Sequence, residues 1–379
     1  MSPQIPKKAT NSPFVKIMQG DVLEQLRQLE DDSINCVVTS PPYWGLRDYS
    51  RCGCANQRLD SVPAGERSTE GGEMWNTQDS RIRPTKEPAP SCPICHGTGR
   101  IKGTERQIGL ELTPEEYIAK MTEVFHEVKR VLRADGTCWV NMGDCYANER
   151  PGHGGGWATN KYSDGAHNSG SLFDAPKTDA GLAPKNLVGQ PWRLAFALQA
   201  DGWYLRSDII WAKANPMPES VTDRPTKSHE YIFLLTKSAR YFYDQEAVKE
   251  RTVYQDDRVR DREHTKLNHT PGRTHSCGLK TNNYEFRNLR TVWNIKTQPY
   301  PEAHFATFPE EIPSRCIKAG CPAGGIVLDP FAGSGTTGAV ARGLGRSCIL
   351  IELNPEYVKL IEDRTDAKVQ ALTAFEVVL

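Results

Sequence analysis

Residues 324–372, "GGIVLDPFAGSGTTGAVARGLGRSCILIELNPEYVKLIEDRTDAKVQAL", constrain the fold more than any other stretch of the chain. An apolar run meets a glycine-rich turn, an alanine-bearing segment of helical spacing, a second apolar run "SCILIEL" and a second helical segment. Strands alternating with helices indicate a mostly parallel sheet covered on both faces. Read literally, Gly333-Ser334-Gly335-Thr336-Thr337-Gly338 is a G-x-G-x-x-G between a strand and a helix, and Glu352 ends the next strand about twenty residues on. A carboxylate in that place can accept from both hydroxyls of a ribose, so the unit predicts a bound nucleoside.

The rest of the chain extends the alternation. "FVKIMQGDV" (14–22) and "INCVVT" (34–39) read as buried strands flanking a helix in which Leu23, Leu26 and Leu29 recur at helical spacing. Thr113-Pro114-Glu115-Glu116 is a capping box with proline at the first helical position. It opens a helix with Tyr117, Met121, Val124, Phe125, Val128 and Leu132 on one face. "GTCWVNMGD" (136–144) and "YLRSDIIWAK" (204–213) read as strands, with a helix ending near Gly202 between them. "EYIFLLTKSARYFYD" reads as two strands joined at Ser238-Ala239-Arg240, an antiparallel hairpin. Residues 50–106 interrupt the pattern as a polar, cysteine-bearing insertion, and 150–183 as a glycine-rich surface loop.

A second motif lies near the other end of the chain, in "NCVVTSPPYWGLRDY" (35–49). Pro41 and Pro42 lack backbone donors and hold φ near −65°, and Pro41 pushes Ser40 toward an extended conformation. The product is a stiff bend that presents a hydroxyl, two carbonyls and the Tyr43 ring at a strand's end. Taken alone it is a proline-ended strand with a packed tyrosine. Beside the glycine loop it reads as a place to hold something flat. Asp329-Pro330 puts a carboxylate at the tip of the glycine-loop strand, which suits a cationic, phosphate-free nucleoside such as S-adenosylmethionine better than a dinucleotide.

"TSPPY" together with "DPFAGSGTT" resembles the amino-methylating DNA methyltransferases, which modify cytosine N4 or adenine N6. The order, catalytic motif first and cofactor motif last, resembles their circularly permuted beta class, and the resemblance covers most of the chain. It implies a Rossmann-like, S-adenosylmethionine-dependent α/β methyltransferase fold with a mostly parallel sheet, to which the residues themselves add the antiparallel hairpin. Only the insertion at 50–106, read as a small zinc-type unit, departs from the family's common pattern. It implies catalysis by Ser40, Pro41, Pro42 and Tyr43 on a base flipped out of double-stranded DNA. "GDVLEQL" and "HFATFPEEI" (304–312) resemble further cofactor segments. The implied S-adenosylmethionine site comprises Asp21, Thr39, His304, Phe305, Ala306, Phe308, Asp329, Phe331, Gly333, Ser334, Gly335, Thr336, Thr337, Glu352 and Asn354. Ser40 in the first position of the tetrad is associated in the family with cytosine N4, and Asp or Asn there with adenine N6. A homodimer and a cognate restriction endonuclease are partners that the resemblance admits.

The 11 cysteines form an odd set in a chain that lacks the apolar core of a signal peptide. Cys52, Cys54, Cys92 and Cys95 have the short pairings of a closed four-thiolate zinc site, in a segment with almost no aliphatic core of its own. The others read as packed thiols. Net charge is zero, from 47 basic and 47 acidic residues, so DNA must be met by a local patch. The best candidate is the segment 249–290, with ten Lys or Arg against six Asp or Glu, including Arg258, Arg260, Arg262, Arg273, Arg287 and Arg290. Trp44 and Arg47 are further DNA-contact candidates. No apolar run reaches the ~20 residues of a membrane span, and the expected setting is the cytoplasm of a bacterium or a phage host. The expected division is 1–49 with 107–248 as the catalytic half of the core, 50–106 as the insertion, 249–300 as the recognition segment and 301–379 as the cofactor half. Two other classes compete. A nicotinamide-dependent oxidoreductase leaves Ser-Pro-Pro-Tyr unexplained, and a zinc-bearing nucleic-acid binder leaves the glycine loop unexplained. RNA or a protein amide is an alternative acceptor.

Overall fold

The computed structural model describes residues 13–45, 106–147, 180–251, 285–298 and 308–366. They form ten strands and six α-helices, alternating at both ends of the chain and interrupted by consecutive strands in between. The strands are β1 (Val15–Gln19), β2 (Ile34–Thr39), β3 (Leu132–Met142), β4 (Tyr204–Lys213), β5 (His229–Thr236), β6 (Glu250–Arg251), β7 (Phe286–Arg287), β8 (Val292–Ile295), β9 (Ile326–Asp329) and β10 (Ser347–Glu352). The helices are α1 (Val22–Leu26), α2 (Pro114–Val131), α3 (Gln190–Ala200), α4 (Glu311–Gly320), α5 (Thr336–Gly343) and α6 (Pro355–Thr365). Eight strands form one sheet in the order β1-β10-β9-β2-β3-β5-β4-β8, and β6 and β7 pair separately. Every neighbouring pair in the large sheet is parallel except β3–β5 and β4–β5.

The central pair decides where a ligand can sit. β9 and β2 are parallel neighbours, with Cys36 opposite Val327 and Val37 opposite Leu328. From β9 the chain moves through α5 to β10 on one side, and from β2 through α2 to β3 on the other. Between them the strand order reverses, and the crevice beyond the carboxyl ends of such a pair is where open α/β sheets bind ligands.

Each sheet face is covered by helices. On one face Tyr117, Met121, Val124, Phe125 and Val128 of α2 pack with Leu194 and Leu198 of α3 against Val37, Cys138 and Val140. On the other, Ile312, Cys316 and Ile317 of α4 and Val358 and Ile361 of α6 pack with Val38, Trp139 and Trp293. A fully buried side chain of this kind contributes about 1.5–3 kcal/mol. α2 starts where its capping box demands: Thr113 Oγ1 accepts from Glu116 N at 3.2 Å and the Glu116 carboxylate accepts from Thr113 N at 3.4 Å. An aspartate at Val128 would put an unpaired charge into this layer and break it.

Several sequence expectations are corrected. β1 stops at Gln19 because Asp21 caps α1, its Oδ1 accepting from Leu23 N and Glu24 N at 3.1 Å. α1 itself covers only Val22–Leu26, and Arg130 takes over its end by donating to the Leu26 and Leu29 carbonyls at 2.9 and 3.0 Å. The hairpin at Ser238-Ala239-Arg240 does not form. β5 already has β3 on one edge and β4 on the other, so a strand following it has no edge to pair with. The antiparallel partner of β5 within its own connection is instead β4. Part of the segment 249–300 belongs to the core, since β8 lies beside β4 with Trp293 and Ile295 buried.

Candidate active site

The carboxyl ends of β9, β2, β3 and β4 and the start of β5 lie at one edge of the sheet, and polar side chains collect there. The glycine loop leaves β9 with Gly333 at φ 54° and Gly335 at φ 78°, a left-handed backbone that only glycine adopts without strain. Asp329 is buried and holds this turn to its neighbours. Its Oδ1 accepts from Thr39 Oγ1 at 2.7 Å and from Phe331 N at 3.1 Å, and its Oδ2 from Thr337 Oγ1 at 2.6 Å. Burial raises its pKa to about 6, against the pull of those donors. The carboxylate expected at the strand tip thus also ties β9 to β2 and α5.

Glu352, at the end of β10, faces the same loop. Its Oε2 accepts from Gly333 N and its Oε1 from Asn354 N, both at 2.8 Å. Burial pushes its pKa up to about 7, partly opposed by those two donors. A carboxylate has about four lone-pair sites, so acceptors remain for two ribose hydroxyls. Asn354 also caps α6, its side chain accepting from Glu356 N at 2.9 Å. The hydroxyls of Ser334 and Thr336 point into the protein, where Arg364 donates to them at 3.2 and 2.9 Å and to Glu310 at 2.7 Å. No motif in the sequence marks Arg364, which lies outside the glycine loop by 28 to 30 positions. Phe331 and Phe308 are half-buried against the core, and Asp21 is half-buried at the start of α1. His304, Phe305 and Ala306 lie outside the described residues.

The tetrad continues directly from Thr39. Pro42 carbonyl accepts from Tyr117 Oη at 2.9 Å, which ties the bend to α2. Ser40 Oγ lies 3.4 Å from Tyr43 Oη. Tyr43 Oη donates to Glu230 Oε2 at 2.8 Å, and Asn141 Nδ2 donates to the same oxygen at 2.8 Å. Lys213 Nζ donates to Glu230 Oε1 at 2.6 Å. The Tyr43 ring also rests on the backbone after β3: a Cβ on Gly143 would stand 2.9 Å from Tyr43 Cε2. Burial, and then the Glu230 charge, raise the Tyr43 pKa well above that of a free phenol. Asp144 follows Gly143 and caps α3, accepting from Gly189 N at 2.9 Å and Gln190 N at 3.0 Å. Around this end of β3 lie buried polar atoms without a hydrogen-bond partner among the described residues: Asn141 Oδ1, both amide atoms of Gln190, and Lys227 Nζ.

Among the DNA-contact candidates, Trp44 is corrected. It is 5% exposed, and its indole donates to the Glu111 carbonyl at 3.0 Å, so it is a core residue beside the tetrad. Arg287 and Arg290 both donate to Glu250 Oε2, at 3.2 and 3.3 Å, and Arg290 is the more exposed of the two. Arg47, Arg258, Arg260, Arg262 and Arg273 lie outside the described residues, as do Cys52, Cys54, Cys92 and Cys95. Among the described residues no group of three or more His, Cys, Asp or Glu side chains could hold a metal. No helix among them is long and apolar enough to cross a membrane.

A doubly wound sheet with a glycine loop and a Ser-Pro-Pro-Tyr bend at adjacent strand ends is the arrangement that the resemblance to amino-methyltransferases implies. A family model described as DNA methylase matches residues 34–363. The chain belongs to that family, the N4-cytosine and N6-adenine DNA amino-methyltransferases, and is a DNA methyltransferase. It is 40% identical over 348 residues to the Type II methyltransferase M.Cfr9I of Citrobacter freundii, covering 92% of this chain and 86% of the relative. It is 40% identical over 355 residues to the Type II methyltransferase M.SmaI of Serratia marcescens, covering 94% and 92%. A solved structure of similar fold is the cytosine-N4-specific PvuII DNA methyltransferase, with a TM-score of 0.51, 17% identity, and 94% of this chain and 89% of that one covered.

Proposed function

We propose that this chain transfers a methyl group from S-adenosylmethionine to the N4 amino group of a cytosine flipped out of double-stranded DNA. The observation that carries the reading is the 2.7 Å hydrogen bond from Thr39 to Asp329, which locks the residue before the tetrad to the strand before the glycine loop. The two motifs are 290 positions apart in the chain and adjacent in the fold. Methyl transfer requires that adjacency, because an in-line displacement depends on holding donor and acceptor close and aligned.

S-adenosylmethionine supplies an electrophilic methyl group on a sulfonium. The glycine loop with Glu352 suits its nucleoside, since the buried carboxylate retains acceptors for ribose hydroxyls. The tetrad serves the acceptor. An exocyclic amino nitrogen is a poor nucleophile while its lone pair is delocalised into the ring. Ser40 Oγ and the Pro41 carbonyl, as acceptors for its two N–H bonds set off the ring plane, favour a pyramidal nitrogen with its lone pair aimed at the methyl group. Flipping costs a few kcal/mol, and stacking on Tyr43 offsets about 1–3 kcal/mol of it. The orphaned polar atoms of Asn141, Gln190 and Lys227 suit the same occupant. Each unmet buried group costs about 1–3 kcal/mol, and a base edge offers both donors and acceptors.

Ser40 directs the reading to cytosine N4, and the Type II relatives support a place beside a restriction endonuclease. The test is transfer from labelled S-adenosylmethionine to unmethylated genomic DNA, followed by nucleoside mass spectrometry. N4-methylcytosine is expected. N6-methyladenine would retain the mechanism and overturn the assignment from Ser40. Neither product, from protein that binds the cofactor, would move the substrate to RNA or a protein amide.

A further inference from the structure

We propose that Glu230 is the positioning residue that aims the Tyr43 ring at the target base, a role resting on the stacking function proposed above for Tyr43. The prolines of the tetrad fix its backbone but leave the tyrosine side chain its own torsions, and the ring torsion of tyrosine is broad and twofold. Something outside the tetrad must set the plane on which a base would stack.

Glu230 is built to do so. Its carboxylate receives three donors from three other segments: Tyr43 Oη at 2.8 Å, Asn141 Nδ2 at 2.8 Å and Lys213 Nζ at 2.6 Å. Asn141 stands on β3 and Lys213 on β4, the two strands that flank β5. Sheet register therefore fixes the carboxylate from both sides. Asn141 opposes Ile232 on one side, and Trp211 opposes Glu230 itself on the other. Lys213 supplies the counter-charge that a carboxylate only 14% exposed requires. Hydrogen bonds to an ionised acceptor are roughly twice as strong as neutral ones, so the phenol has a firm anchor. A second constraint comes from Gly143, whose backbone supports the ring at Cε2 and also approaches Glu230, 3.4 Å from its Cδ to the place of a Cβ. Hydroxyl tether and glycine floor together hold two points of the ring, in a residue that is half-buried.

The test is a double-mutant cycle on full-length protein, read as kcat for DNA methylation and as cofactor KM. Misplacing a reacting group by about 1 Å costs about 10²-fold, so Glu230→Ala and Tyr43→Phe should each lower kcat by up to that factor and leave cofactor KM unchanged. The double variant should be no slower than the slower single variant, because both changes cut one tether. Glu230→Gln retains an oxygen for the phenol and should recover most of the loss. Losses that multiply in the double variant would overturn the proposal, as would a Glu230→Gln as slow as Glu230→Ala. Should Glu230→Ala fail to fold, Tyr43→Phe reads the tether from its other end, and an unchanged kcat there overturns the proposal. Wild-type protein inactive on DNA would instead sink the stacking reading itself.

Discussion

If the buried carboxylate of Glu352 holds the ribose of S-adenosylmethionine, as proposed, cofactor affinity should depend on pH in a defined direction. In the free protein burial raises its pKa to about 7. If the ribose hydroxyls donate to Glu352, the bound state requires the ionised form, and binding must first remove the proton wherever the free protein carries one. With a free-protein pKa of about 7, Glu352 is about nine-tenths protonated at pH 6 and about nine-tenths ionised at pH 8, so the Kd should tighten about tenfold across that interval, equivalent to ~1.4 kcal/mol. The stability of the free protein runs the other way. The folded state holds a proton that the unfolded state has lost, so this group's contribution is greatest below the unfolded value of 4.5 and declines as pH rises toward about 7. Calorimetric titration of S-adenosylmethionine at pH 6, 7 and 8 measures the first effect, with thermal unfolding of the free protein as the check on the second. Glu352→Gln should bind more weakly at pH 8 and show a flat profile. A wild-type Kd that does not change between pH 6 and 8, or a slope that survives in Glu352→Gln, would refute the reasoning.

Three further outcomes follow from other contacts. Gly143→Ala should lower kcat with little change in thermal stability, because its Cβ would meet the Tyr43 ring at 2.9 Å in a partly exposed site that can shift; a kcat equal to wild type would show that the ring does not need that floor. Thr39→Val removes one donor from a buried carboxylate whose pKa is already raised to about 6, and should cost about 1–3 kcal/mol in denaturant melts at pH 7.5. That penalty should shrink toward pH 5, where Asp329 takes up a proton in the folded state, and a penalty independent of pH would contradict the assignment. Elemental analysis of purified protein should give one zinc per chain if Cys52, Cys54, Cys92 and Cys95 form a four-thiolate site, and replacing Cys92 and Cys95 with serine should abolish it.

The parts of the site that could be read from sequence are those whose chemistry is local. Ser-Pro-Pro-Tyr carries its own backbone constraint. The glycine loop carries its own φ requirement, and Thr113 and Glu116 specify a helix start within four residues. The parts that could not be read depend on sheet pairing. Tyr43 and Glu230 are 187 positions apart, and Asn141 and Glu230 are 89 apart. No periodicity along the chain connects them; only the order β2-β3-β5-β4 does. A weak signal existed: Glu230 heads the largely apolar run "EYIFLLT", and Lys213 closes the strand before it, just after the apolar stretch "IIWA". Charged residues at the ends of strands where burial begins call for partners on the neighbouring strands. Trp44 misled for the opposite reason. An aromatic beside a functional bend looks available for contact, and only the position of Glu111, 67 residues away, shows that its indole is satisfied in the core. The hairpin expectation failed because strand propensity after Thr236 says nothing about whether an edge is free, and β5 has none.

The same dependence on pairing explains how the Ser-Pro-Pro-Tyr motif can precede the glycine loop by nearly the whole chain and still stand beside it. β2 and β9 are joined by backbone hydrogen bonds and by the Thr39–Asp329 contact, with no direct chain connection between them. A site assembled from the carboxyl ends of parallel neighbours requires only that both strands run the same way and meet in register. It is indifferent to which of them the chain visits first. What it cannot tolerate is a change that shifts one strand by a residue, since that would turn Thr39 away from Asp329 and displace the tetrad that follows it. The stretch "INCVVTSPPY" therefore has two duties, with Cys36 and Val37 setting register against Val327 and Leu328 so that the residues after them arrive beside the glycine loop. Substitutions in this strand that preserve burial but disturb its packing should impair methyl transfer more than their effect on stability alone accounts for.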